Sequence, residues 1–130
     1  MRQLTEKQTT KMKFEDLRVW QKALELTVTI HNLTRSFPKE EMFILTSQIK
    51  RATDSIALNI AEGSTGNSNA EFKRFLQMAN RSAIEVIACL HIGKSRAIIT
   101  DEDFETIYQE LNLLIRSIQA LKNTLKQNDQ

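Results

Sequence analysis

The chain has 130 residues, of which 41% are hydrophobic and 26% charged, and its formal net charge is +2. This composition is typical of a globular domain, and the length suits one such domain rather than several. Three glycines and one proline are too few for the many tight turns of a β-sandwich or β-barrel, so long helices are predicted. No apolar run reaches the roughly 18 residues of a transmembrane helix, and the start lacks a signal peptide's apolar core. The single cysteine, Cys89, fits a reducing cytoplasm.

The positive charge is concentrated at the N-terminus. Residues 1–13 carry four basic side chains against one acidic one, whereas the other 117 residues carry 14 basic and 15 acidic side chains. Polar residues dominate this stretch, so residues 1–13 are predicted to form a flexible basic arm. The folded domain is predicted to cover residues 14–127. Its near-neutral charge differs from the basic body that nucleic-acid-binding domains usually show.

Apolar residues recur at helical spacing in four segments of the chain. The first helix is predicted from about Phe14 to Ser36, and Pro38 is predicted to lie in the first turn of the second helix. The second helix is predicted to stop at Gly63, in the place of a left-handed C-cap. Its apolar stripe consists of Leu45, Ile49, Ala52, Ile56 and Ile60.

Two capping boxes indicate where the third and fourth helices begin. Ser68 with Glu71 opens the third helix, and Thr100 with Asp103 opens the fourth, which is predicted to run through Leu125. Four helices of about 20 residues, joined by short connections, favour antiparallel neighbours. The predicted fold is therefore all-α, an up-down-up-down four-helix bundle.

The last two helices carry more apolar residues than one four-helix core needs. Ile84, Ile87 and Ile92 widen the apolar stripe of the third helix, and Leu113 and Ile115 widen that of the fourth. One interpretation is a broad core with scattered exposed aliphatic side chains. The other interpretation is a subunit interface.

No pattern in the chain indicates catalysis or metal binding. His31 and His91 lie on different predicted helices without a second ligand at helical spacing. Cys89 lies in an apolar stretch, where an inert buried thiol is expected. Gly63 and Gly66 lack the spacing of a phosphate-binding loop. The sequence therefore predicts a protein that is not an enzyme and that has no cofactor and no metal.

A polar stripe runs beside the apolar stripe of the second helix, and a comparable row lies on the third. If the two rows face each other, Arg51 is expected to meet Glu85, and Asn59 is expected to bond the backbone near the helix end. The stripe is interpreted as a network that sets helix register or as a solvated face; alternatively it is a groove for a ligand or partner. Its residues are Gln48, Arg51, Ser55, Asn59 and Glu62, with Ser82 and Glu85 on the third helix.

Basic residues cluster in the middle of the chain. Residues 50–100 hold seven basic against four acidic side chains, whereas the last thirty residues hold three against six. This split is consistent with one positive and one negative face, and a positive face is suited to phosphate backbones. The candidate nucleic-acid-binding residues are Lys50, Arg51, Lys73, Arg74 and Arg81.

Several short motifs follow one another in the first three helices. Residues 17–23 read Leu-Arg-Val-Trp-Gln-Lys-Ala, and residues 59–63 read Asn-Ile-Ala-Glu-Gly. Together they resemble the four-helix-bundle proteins encoded in intervening sequences of bacterial 23S ribosomal RNA genes, over roughly residues 14–95. Ile44 and Arg81 stand where many members have glycine. The other matching positions are Phe37-Pro38, Glu41, Phe43, Leu45-Thr46, Gln48-Ile49, Arg51-Ala52, Ser55-Ile56, Phe72, Phe75-Leu76, Ala79, Ser82 and Glu85.

The resemblance implies an antiparallel four-helix bundle that assembles as a ring, a homopentamer, without enzymatic activity. The ribosomal RNA loci of the family suggest a homo-oligomeric adaptor that binds RNA or an RNA-associated protein. The alternative function is a protein–protein interaction scaffold that binds no nucleic acid. A third hypothesis is a small enzyme that uses Arg51, Asn59, Glu62 and Glu85 of the polar stripe.

Overall fold

The computed structural model describes residues 12–125. Four α-helices account for most of this range, and no strand occurs within it: α1 is Arg18–Thr34, α2 is Ser47–Ser64, α3 is Asn69–Ser95 and α4 is Asp101–Thr124. The predicted all-α class is therefore confirmed. The predicted arm lies outside the described residues up to residue 11, as do residues 126 and 127 of the predicted domain. None of the helices in the described range is long and apolar enough to cross a membrane.

Short helical segments of other types precede α1 and α2. A 3-10 turn, Lys13–Asp16, comes before α1, and its half-buried Phe14 packs edge-on against Trp20 with the ring centroids 4.8 Å apart. A second 3-10 turn, Lys39–Glu41, and a π-helical segment, Met42–Thr46, lead into α2.

The predicted ends of the first two helices differ from the structure at three positions. Leu17 is extended, with ψ at 130°, so it separates the 3-10 turn at Phe14 from α1, which ends at Thr34 instead of Ser36. Pro38 is extended too, with ψ at 148°, and its carbonyl accepts a hydrogen bond from Glu41 N. Pro38 thus opens a separate 3-10 turn instead of the second helix.

Both predicted capping boxes begin their helices as expected. The Ser68 hydroxyl accepts a hydrogen bond from Glu71 N at 3.1 Å, and the Thr100 hydroxyl accepts one from Asp103 N at 3.0 Å. Each cap satisfies a backbone donor that has no carbonyl partner inside its own helix. Local sequence chemistry therefore determines where α3 and α4 begin.

Gly63 has a different role from the one its position in the sequence predicts. It lies inside α2 and is buried, and the only described residue with a positive φ is Ala97 at 61°. A Cβ atom built on Gly63 would lie 2.5 Å from Cβ of Phe75. The prediction of a left-handed C-cap is therefore wrong, because Gly63 serves the close approach of α3 to α2.

One apolar core joins the four helices. The α2–α3 packing is the most extensive and the α1–α4 packing the least extensive of the neighbouring pairs. The side chains that are almost completely enclosed come from all four helices: Ile30, Ile49, Ile56, Ile60, Leu76, Val86, Leu90, Leu111 and Ile118.

Candidate functional site

The polar stripe forms a seam along the edge of the α2–α3 contact. The hydroxyl oxygens of Ser55 and Ser82 lie 2.9 Å apart and share a hydrogen bond across the two helices. Asn59 donates from Nδ2 to the Ser55 carbonyl at 2.9 Å and to the Ser55 hydroxyl at 3.1 Å. All three residues are half-buried. Asn59 thus bonds the backbone as expected, although its partner lies one turn back within α2.

Glu85 pairs with Gln48 across the seam, so the expected contact between Arg51 and Glu85 is wrong. Nε2 of Gln48 donates to Oε2 of Glu85. Residues three apart on an α-helix differ by about 60° in direction, so Gln48 and Arg51 cannot both point straight at α3. Arg51 and Glu62 are exposed, as Gln48 and Glu85 are, but within residues 12–125 they form no hydrogen bond across the seam. The structure therefore brings together five of the seven stripe residues: Gln48, Ser55, Asn59, Ser82 and Glu85.

The five candidate nucleic-acid-binding residues do not lie on one face. Arg51, Arg74 and Arg81 are exposed, whereas Lys50 and Lys73 are half-buried. Successive residues of an α-helix differ by about 100° in direction, so each lysine points away from the arginine that follows it.

The three exposed arginines form a smaller candidate set. None of the three forms an ion pair with a carboxylate within residues 12–125. The guanidinium of Arg74 lies over the ring of Phe75, 5.0 Å from its centroid. These arginines retain donors that are available to a phosphate.

An ion pair that the sequence did not predict anchors the segment between α1 and α2. Nη1 of Arg96 lies 3.1 Å from each carboxylate oxygen of Glu41, whose side chain is 11% exposed. Oε1 of Glu41 also accepts a hydrogen bond from Leu45 N at 3.4 Å. In the sequence Glu41 stands out only as one of the positions that match the family, which does not reveal a partner 55 positions away.

Three consecutive apolar side chains project from this anchored segment, and we call them the corner patch: Met42, Phe43 and Ile44. They are 49%, 89% and 58% exposed, respectively. Ile44 also lines a recess of about 350 Å³ together with Ile92 and Ala88 of α3. The corner patch is an apolar surface that is open to solvent in the single chain.

A recess of mixed polar and apolar lining lies between α1 and α4, where the helices pack least extensively. This recess of about 200 Å³, which we call the α1–α4 groove, has Leu26 and Leu114 among its buried lining and Leu113 at 59% exposure. The remaining residues of its lining are Lys22, Glu25, Thr29, Glu110 and Ser117.

The five extra apolar residues of α3 and α4 were interpreted either as part of a broad core or as a subunit interface, and the structure divides them into two groups. Ile87 and Ile115 are half-buried and pack against the core, so for them the broad-core interpretation holds. Ile84, Ile92 and Leu113 are exposed in the single chain. The exposed three are the ones available to a subunit interface.

Cys89 and the two histidines differ in their surroundings. Cys89 is buried, and its burial, with a smaller contribution from the charge of Glu85, raises the pKa of the thiol. His91 packs edge-on against Phe104 with the ring centroids 4.9 Å apart, and His31 is exposed on α1. No group of three metal-ligating side chains occurs within residues 12–125.

The fold and the seam define a class of small all-α proteins with four helices and a polar network between α2 and α3. Residues 15–120 match the family model of the 23S rRNA-intervening sequence protein, and the chain belongs to this family. The resemblance found in the sequence is thereby confirmed.

A solved structure extends the comparison. It is a crystal structure from Bacteroides thetaiotaomicron VPI-5482, described as a protein with unknown function from the S23 ribosomal protein family. It aligns with a TM-score of 0.75 and 28% sequence identity, and the alignment covers 80% of this chain and 97% of that chain. No curated protein matches the chain.

Proposed function

We propose that this protein is a non-enzymatic, cytoplasmic, homo-oligomeric scaffold that holds RNA, or a protein associated with RNA, on its exposed arginines. Its subunit is an antiparallel up-down-up-down four-helix bundle, and its subunits assemble into a ring, a homopentamer. The observation that carries the proposal is the presence of large exposed apolar side chains at separate places on one small domain: Met42, Phe43 and Ile44 of the corner patch, and Leu113 at the α1–α4 groove.

The order of contacts between α2 and α3 supports the antiparallel arrangement. As residue numbers rise along α2, those of the partners on α3 fall. Gln48 pairs with Glu85, Ser55 with Ser82, and Gly63 closely approaches Phe75. The short connection of residues 96–100 between α3 and α4 favours opposite directions for that pair as well.

The separate exposed apolar side chains support assembly into a closed ring. Large exposed apolar patches on small proteins commonly mark interaction sites. Two different surfaces that engage each other on neighbouring copies produce a head-to-tail contact, which closes into a ring when the rotation between copies permits.

Size-exclusion chromatography with light scattering tests the assembly. A particle near five times 15.0 kDa is the expected result. A closed ring with a different number of subunits would correct the subunit number and leave the scaffold proposal in place. A particle of 15.0 kDa across the micromolar range would overturn the assembly.

The RNA part of the proposal depends on Arg51, Arg74 and Arg81. Their guanidinium groups are exposed without a carboxylate partner in the described range. The name of the family associates it with 23S rRNA intervening sequences. A ring repeats each arginine once per subunit, so weak single contacts would add up to useful avidity.

A pair of matched charge reversals tests the RNA part. The double variant Arg74→Glu/Arg81→Glu should bind structured RNA about tenfold more weakly than Arg35→Glu/Arg116→Glu, which changes the net charge equally at other exposed positions. Affinity for the unmodified protein should fall steeply with salt, because phosphate contacts release counterions. The oligomeric state is measured in the same samples.

Equal losses in both variants would mean that the arginines act only through net charge. The absence of binding to structured RNA at low salt would favour the second candidate, a protein–protein scaffold that binds no nucleic acid. The exposed apolar surfaces are the observation in favour of that alternative.

A further inference from the structure

We propose that the outer surface of the α2–α3 pair binds unpaired nucleotides of single-stranded RNA, contacting their bases as well as their phosphates. We call this surface the seam face. It consists of the polar seam, two exposed apolar side chains and three exposed arginines: Leu58, Met78, Arg51, Arg74 and Arg81. The inference rests on the proposed RNA binding and names the class of RNA that the site takes.

Leu58 and Met78 lie on opposite sides of the seam at nearly the same height. The hydroxyl groups of Ser55 and Ser82 meet across the two helices. Leu58 comes three residues after Ser55 and Met78 four residues before Ser82, and the order of contacts between α2 and α3 places both towards Gly63. At about 1.5 Å per residue, their heights differ by only about 1.5 Å. They are 64% and 39% exposed, so a small apolar spot faces solvent beside the seam.

The seam next to this apolar spot keeps hydrogen-bonding groups for a ligand. Nδ2 of Asn59 donates to the carbonyl and to the hydroxyl of Ser55, which leaves the hydroxyl hydrogen of Ser55 for Ser82. The hydroxyl hydrogen of Ser82 then remains as a donor. Oδ1 of Asn59 remains as an acceptor, because it receives no hydrogen bond from residues 12–125. The edges of unpaired bases carry the complementary acceptors and donors.

The exposed arginines surround the apolar spot with positive charge. Arg74, Met78 and Arg81 follow one another at four and three residues, so they share one face of α3. Arg51 lies on α2, and none of the three arginines forms an ion pair within residues 12–125. The guanidinium of Arg74 is held over the ring of Phe75, and its other side faces solvent. An arginine plane presented in this way can stack on a base as well as bind a phosphate.

Two carboxylates limit the length of RNA that the seam face accepts. Glu62 comes seven residues after Ser55, and Glu85 comes three residues after Ser82 in the opposite direction. Their heights therefore differ by about 15 Å. Both are exposed, and Glu85 accepts a hydrogen bond from Gln48. Since these charges repel phosphates at both ends, a few unpaired nucleotides fit between them better than a continuous duplex does.

The apolar spot also favours unpaired RNA over duplex RNA. A duplex presents phosphates and 2′-hydroxyl groups on its outside and keeps the faces of its bases stacked inside. An unpaired base combines an apolar face with a hydrogen-bonding edge, which matches the apolar spot and the seam. An acidic protein helix would match the arginines and the apolar spot. Its backbone groups are already bonded within the helix, however, so it has less use for the seam.

Three RNAs of equal length test the inference on the full chain: an unstructured single strand, its perfect duplex and an abasic single strand. The single strand should bind about tenfold more tightly than the duplex, because only its bases are free to pack on the protein. The abasic strand supplies phosphates without bases and should bind as weakly as the duplex. Fluorescence anisotropy measures the three affinities.

Leu58→Gln separates contacts with bases from contacts with phosphates. It should weaken single-strand binding about fivefold and leave duplex binding unchanged. The salt dependence should stay the same, because the variant removes no cation. Leu24→Gln on α1 is the matched control and should bind as the unmodified protein does. The two leucines are 64% and 48% exposed, so both variants should fold, which circular dichroism checks, and light scattering compares their oligomeric states.

Each other outcome contradicts a defined statement. Equal affinities for the single strand and the duplex, or an abasic strand that binds as tightly as the single strand, would overturn this inference and leave RNA binding in place. An unchanged single-strand affinity in Leu58→Gln would do the same. No binding of any of the three RNAs at low salt would overturn the proposed RNA binding together with the inference. An acidic amphipathic peptide that then bound the unmodified protein more tightly than Leu58→Gln would assign the seam face to a protein partner.

Discussion

Glu41 and Arg96 lie 55 positions apart in the chain, and Nη1 of Arg96 is 3.1 Å from both carboxylate oxygens of Glu41. The pair ties the segment before α2 to the residue that follows α3. Glu41 is buried and also accepts a hydrogen bond from Leu45 N, so its carboxylate serves two partners in a largely dry site. The corner patch depends on this attachment because it directly follows Glu41.

Arg96→Ala should lower the free energy of unfolding by about 1–2 kcal/mol, because it leaves the Glu41 carboxylate largely buried without its cation. The half-exposed arginine keeps the loss below that of a fully buried pair. Urea denaturation measures the change. Arg81→Ala, an exposed arginine without an ion pair in the described range, is the control and should stay within about 0.5 kcal/mol. Equal effects of the two variants would contradict a stabilising role for the pair.

Gly63→Ala should destabilise the protein by about 1–3 kcal/mol, although alanine is the better helix former by about 1 kcal/mol. The new Cβ would lie 2.5 Å from Cβ of Phe75, which is fixed to the backbone of α3 and cannot rotate away. Thermal or urea unfolding measures the sign. Gly66→Ala is the control, because its closest contact is the end of the flexible Glu71 side chain. A more stable Gly63→Ala variant would show that α2 and α3 separate easily.

The Ser55–Ser82 pair should behave as a coupled unit. Each single change to alanine should cost about 0.5–1.5 kcal/mol, because it leaves the other half-buried hydroxyl without that partner. The double variant should cost less than the two single costs together, and a double-mutant cycle measures the difference. Strict additivity would contradict a register-setting role for the seam. It would favour the other interpretation of the polar stripe, in which its residues bind a ligand or partner.

Stability should fall in alkaline solution through Cys89. Burial and the charge of Glu85 raise the pKa of its thiol, so the unfolded chain releases the thiol proton at a lower pH than the native chain does. Above about pH 8.5 the native state therefore binds more protons than the unfolded state, and the free energy of unfolding decreases as pH rises. The stability that this thiol contributes is complete below that pH and is lost as the pH rises through the higher native pKa.

The measurement compares urea unfolding between pH 7 and pH 10.5 for the unmodified protein and Cys89→Ala. The free energy of unfolding should decrease less steeply with pH in Cys89→Ala, because this variant has no thiol to titrate. Glu85→Gln should lower the pKa of Cys89 and, like Cys89→Ala, make the decrease in the free energy of unfolding with pH less steep. Parallel curves for the unmodified protein and Cys89→Ala would contradict the prediction.

Much of the fold could be predicted because its signals are local. The Ser68 and Thr100 caps open α3 and α4 as their spacing indicates, since a capping side chain needs only a backbone donor three residues away. Part of the seam could be predicted too, because helical periodicity placed Ser55 and Asn59 at the edge of the apolar stripe. The Gln48–Glu85 pairing was missed, because it depends on the rotation of α2 relative to α3.

The candidate basic face could likewise be predicted only in part from the sequence. Residue counts detected an excess of positive charge between residues 50 and 100. They did not separate the half-buried Lys50 and Lys73 from the exposed arginines, because neighbours in sequence point in directions about 100° apart on a helix.

The sequence by itself determined the helical class, the starts of α3 and α4 and the family, because these depend on composition, short-range capping and ordered motifs. Only the tertiary structure decided that Gly63 serves helix contact, that Arg96 binds Glu41 and that Phe43 projects into solvent. Each of these features depends on the distance and relative rotation of segments far apart in the chain. Local sequence patterns do not specify that geometry, because the packing of the core sets it.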